Sequence, residues 1–74
     1  MKAIYIKRKN IVVEFKQVGE MREATILRNN GCTYNESTRR FHSAEEGNEF
    51  YKSYINDGFV KATSDDFDKI VRGY

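Results

Sequence analysis

The chain has 74 residues, one cysteine, no proline or tryptophan, and a formal net charge of +2, which fits a single domain near the lower size at which an apolar core folds without disulfides or metal. A lone cysteine excludes an internal disulfide, and no stretch approaches the roughly 18 to 20 apolar residues of a membrane helix, so a soluble, cytoplasmic protein with no membrane partner is expected. The charge is unevenly spread: residues 1 to 40 carry nine Lys and Arg against four Glu, and residues 41 to 74 carry four against seven acids.

The start, "MKAIYIKRKN", has an apolar run too short for a signal peptide. Ile4 and Ile6 alternate with Tyr5 and Lys7, and in "IVVEFKQV" Ile11, Val13 and Phe15 alternate with Val12, Glu14 and Lys16. This period of two predicts a β-hairpin. With "KRKN" as a four-residue loop, Ile6 would face Ile11 and Ile4 would face Val13. The large aliphatics would then share one face, with Arg8 and Lys9 at the loop tip.

In "GEMREATILRNN" the apolar residues scatter around a helical wheel, so a strand is expected, entered through "VGE" and left through "NNG". A helix there would give a ββαββα order and is the alternative. Next, Tyr34 and Phe41 are the large apolar residues of "TYNESTRRFH". A hairpin turning within "NEST" would bring both to one face, with Cys32 beside Tyr34 and His42 on the other side.

Ser43 and Glu46 have the spacing of a capping box, and Ala44, Gly47, Phe50, Tyr51, Tyr54 and Ile55 share one side of a helix over 44–56. Gly58 suits a left-handed residue just past its end. "FVKAT" reads as a last strand. Ser64 caps a short helix with Asp65 and Asp66 in its first turn, Lys69 and Arg72 near its end, and Phe67, Ile70 and Val71 as its apolar side. The fold class expected is α+β, a single domain over 1–74. An antiparallel meander of four or five strands is packed by the helix at 44–56, with a short C-terminal helix.

The chemistry is sparse. Cys32 and His42 on opposite faces cannot form a nucleophile and base. The acids Glu45, Glu46 and Glu49, and Asp65, Asp66 and Asp68, sit at helix starts without the spacing of a calcium loop. The five glycines are too far apart for a phosphate loop. No catalytic residue, cofactor or metal site is therefore expected.

Two binding functions remain. The first is a non-catalytic accessory protein that binds a protein partner, with a homo-oligomer among the candidates, because aromatics left at the surface favour protein contacts. The absence of Pro and Trp and the abundance of Lys, Asn, Ile, Tyr and Phe suggest an AT-rich genome, such as a low-GC bacterium or one of its phages. The second is weak nucleic-acid binding by the basic N-terminal sheet, with Tyr5 stacking a base. The candidate surface for either is Tyr5, Lys7, Arg8, Lys9, Arg39 and Arg40. Protection of a sheet edge by charge explains the same cations without a ligand.

Overall fold

A computed structural model describes residues 3–19, 21–31 and 33–72. The fold is α+β: β1 (Ile4–Arg8), β2 (Ile11–Val18), β3 (Met21–Asn29), β4 (Tyr34–Phe41), α1 (Ala44–Asn56), β5 (Val60–Ala62) and α2 (Ser64–Val71). One antiparallel sheet has the order β4-β3-β2-β1-β5. The first four strands form the expected meander, and residues 21–29 are strand. After β4 the chain passes through α1 to the far edge, where β5 pairs with β1.

The register of the first hairpin differs from the sequence expectation by two residues. Ile6 faces Val13, Ile4 faces Phe15 and Arg8 faces Ile11. The loop is thus only Lys9 and Asn10, and Lys9 takes a φ of 55° to make the tight reversal. A shift of two keeps every side chain on its expected face, so the hydrophobic pattern alone could not distinguish the two registers.

Both sides of the sheet carry a core. On one side Ile6, Val13, Ala24 and Phe41 are buried with Phe59, and Phe15, Phe50, Tyr51 and Tyr54 pack against them. Here α1 lies across the strands. On the other side Val12 and Leu27 are buried with Ile70 of α2, flanked by Tyr34 and Phe67. Adjacent strand residues point to opposite faces, so the burial of both Val12 and Val13 requires a cover on each side.

Tyr34 and Phe41 consequently lie on opposite faces, contrary to the hairpin expected within "NEST". Those residues belong to a continuous β4, paired with β3 from Asn29↔Tyr34 to Arg22↔Phe41. The reversal occurs before them, where Gly31 has a φ of 94° and the Asn30 N–H donates to the Thr33 carbonyl at 2.8 Å. Tyr34 serves the α2 core and Phe41 the α1 core, so neither needs the turn that a one-faced sheet would have imposed.

The helix ends follow local chemistry. Ser43 caps α1 by accepting from the Glu46 N–H. At the other end the Gly58 N–H donates to Ile55 and the Phe59 N–H to Tyr54, while Gly58 holds a φ of 101°. This is a Schellman motif, and its hydrophobic contact is the Tyr54–Phe59 ring pair, with centroids 4.7 Å apart. Thr63, not Ser64, caps α2. Its hydroxyl accepts from the Asp66 N–H while the Asp66 carboxylate accepts from the Thr63 N–H, a reciprocal pair that Ser64 has no acid correctly spaced to make.

Candidate binding edge

β4 is the last strand on its side of the sheet, and Asn35 to Arg40 are all exposed. Its backbone directions follow from its neighbours. The Asn29 N–H donates to the Asn10 carbonyl, towards β2, and the Asn30 N–H to Thr33, on the β4 side. Since N–H and C=O of an antiparallel residue point the same way and alternate along the strand, Ala24, Ile26 and Arg28 bond to β4. Their partners Arg39, Ser37 and Asn35 turn their backbone inward. Tyr34, Glu36, Thr38 and Arg40 therefore present N–H and C=O groups to the open edge.

The side chains of β4 divide by parity. Arg39 lies on the α1 face, its guanidinium 5.1 Å from the centre of the Phe50 ring and 5.9 Å from that of Phe41. Beside it, Ile26, Arg28, Asn35, Glu36, Ser37 and Tyr54 line a shallow pocket of about 270 Å³. Burial raises the pKa of the Tyr54 hydroxyl, and the positive charges of Arg39 and Arg28 oppose that shift. On the α2 face the Nε of Arg40 donates to Glu23 Oε2 at 2.8 Å. Glu36 makes no ion pair among the described residues.

The six residues expected to form one surface are distributed over the sheet. Tyr5 is half-buried on the α2 face, its ring meeting that of Phe67 edge-on at 5.7 Å, so α2 occupies the side on which a base was expected to stack. Lys7 Nζ lies 3.4 Å from Asp66 Oδ1, tying α2 to β1. Arg8 is opposite Ile11, on the α1 face, and its Nε is 3.4 Å from where a Cβ on Gly58 would project. Lys9 occupies the turn. Arg39 and Arg40 stand three strands away from β1, on opposite faces from each other. Sequence reasoning missed Glu36 and the outward backbone of β4. The signal available was "NESTRR" itself, polar at both parities as an exposed edge strand is.

His42 follows β4 and is exposed, and Cys32 lies outside the described residues. Among the described residues no three His, Cys, Asp or Glu side chains converge as metal ligands would. The Asp66 carboxyl is held below its ordinary pKa mainly by the Thr63 backbone hydrogen bond, with Lys7 assisting.

The Tyr5 hydroxyl donates to Glu14 Oε2 at 2.7 Å. That hydrogen bond, then burial, then the negative charges of Glu14 and Asp68, push its pKa up to about 12 from 10.0. The folded state thus keeps a proton that the unfolded chain releases near pH 10. The resulting stability is fully present below about pH 10 and is lost as pH rises towards about 12. In urea melts across that window, wild type is expected to lose stability relative to Tyr5→Phe. A constant difference between the two would show that the hydroxyl does not hold its proton for Glu14.

Compared with known proteins, the chain matches no family model, no curated protein and no solved structure. No helix among the described residues is long and apolar enough to cross a membrane.

Proposed function

We propose that this protein is a small, non-catalytic, cytoplasmic accessory protein that acts by binding protein, and that the open edge of β4 is its contact. The observation that carries this reading is the row of outward backbone groups at Tyr34, Glu36, Thr38 and Arg40 along an exposed edge strand. Such a row accepts an extended segment of a partner as an added strand, with main-chain hydrogen bonds supplying affinity and the flanking side chains supplying selectivity. The separation of Lys7, Arg8 and Lys9 from Arg39 and Arg40 favours this over a continuous track for a phosphate backbone, which needs its cations along one groove.

Thr38→Pro tests the edge directly. The Thr38 N–H points outward, so proline removes an edge donor without removing a β3–β4 hydrogen bond, a position where edge strands tolerate it. Immobilised wild type is expected to retain defined proteins from a low-GC bacterial lysate, and Thr38→Pro to lose them while still melting cooperatively. Proteins retained equally by both would refute the edge as the contact.

A further inference from the structure

We infer that β4 pairs with the β4 of a second copy of this chain, antiparallel about a two-fold axis at Thr38, joining the two sheets edge to edge. The inference deepens the protein-binding reading of the same edge and rests on it.

The edge geometry and the charges select this register together. For α1 to remain on one side of a joined sheet, residues facing each other across the axis must share a face, so their positions must both be even or both odd. Centring on Thr38 satisfies this. Thr38 faces Thr38 of the second copy, and because its backbone points outward the two exchange N–H···O bonds across the axis. Glu36 then faces Arg40 of the second copy, and Arg40 faces its Glu36. Both residues have outward backbones, so each opposed pair also exchanges main-chain hydrogen bonds. Glu36, without an ion-pair partner among the described residues, gains one in each half. The guanidinium of Arg40 uses its Nε for Glu23 and has its other nitrogens available for a second carboxylate.

Neighbouring registers lack this match. Centring on Glu36 puts two glutamates face to face, and centring on Arg39 or Arg40 does the same with two arginines; directly opposed like charges destabilise a strand pair. Centring on Ser37 creates no opposite-charge pair. The charges that guard this edge against arbitrary partners are therefore self-complementary in one alignment.

The test uses sedimentation velocity over about 10 µM to 1 mM, a range suited to a contact this small. Wild type is expected to move from monomer towards dimer. Glu36→Lys places lysine opposite arginine, and Arg40→Glu places glutamate opposite glutamate, so each alone should weaken the dimer by about tenfold or more. An equimolar mixture of the two variants should dimerise again, because the lysine introduced in one chain then meets the glutamate introduced in the other, while the Arg40 and Glu36 that each chain retains still face each other. A merely structural role for either residue cannot produce that rescue. In wild type, amide exchange at Glu36, Thr38 and Arg40 should slow as concentration rises, a measurement that stands even where Arg40→Glu fails to fold.

Wild type that stays monomeric throughout the range would overturn self-pairing, as would variants that dimerise unimpaired or a mixture that shows no rescue. Monomeric wild type that still retains lysate proteins, lost on Thr38→Pro, would leave the edge as a contact for other chains. A failure of both would remove the edge altogether.

Discussion

Phe50→Ala is expected to destabilise the domain by about 3 kcal/mol, near the lower end for a truncated phenylalanine because the ring is half-buried and not enclosed. Among the described residues, this ring touches more aromatic neighbours than any other. Its centroid lies 6.1 Å from that of Phe15, 5.1 Å from Phe41 and 4.9 Å from Tyr54, and the Arg39 guanidinium rests 5.1 Å away. Truncation removes these contacts together and leaves a gap between α1 and the sheet that the stiff strands cannot close. A chain of this size has a total stability of about 4 to 11 kcal/mol, so urea denaturation would register the loss readily. A change below about 0.5 kcal/mol would mean that α1 does not pack through Phe50.

Leu27→Ala tests the opposite side of the sheet, and about 3 to 4 kcal/mol is expected. Leu27 is fully buried in the cluster with Val12 and Ile70, where Phe67 and Tyr34 complete the packing. The helix above it, α2, has only eight residues, too few to be helical without a surface to dock on. The variant should therefore lose amide protection in α2 ahead of the rest of the domain. If α2 stays protected while overall stability falls, the helix has another anchor, and the Lys7–Asp66 pair would be the first to examine.

These two substitutions mark the boundary of what sequence pattern could convey. The helix at 44–56 was legible because Gly47, Phe50, Tyr51 and Tyr54 repeat at helical spacing between a Ser43 cap and a Gly58 stop. The first two strands were legible from their alternation. Alternation, however, reads a strand as having one buried side, and it puts Val12 on the face opposite Ile11, Val13 and Phe15. The runs "IVV" and "ATIL" are what two-sided burial looks like, but short apolar runs fit several structures equally well. β4 was obscured for the opposite reason. Its centre has no apolar residue at either parity, so "NEST" resembled a turn, and only its pairing with β3 identifies it as a strand. The candidate surface suffered from the same one-sided assumption, since Tyr5 points outward only if nothing lies over the second face.

The two-stranded contact between β1 and β5 has a consequence for the order in which the fold assembles. The connections within β1 to β4 are short, so those strands can zip together from neighbouring residues, as chains rich in local contacts do quickly. β5 must instead find β1 from the far end of the chain, with Ala62 opposite Tyr5 and Val60 opposite Lys7. With β1 to β4 already paired, the open chain runs from Phe41 to Val60, and closing it costs about 2 to 3 kcal/mol in chain entropy beyond a constant, more than three residue pairs on a short strand return. The meander can thus exist before this edge closes, and α1 and α2, each gripping a different face, carry the late strand home and hold it there.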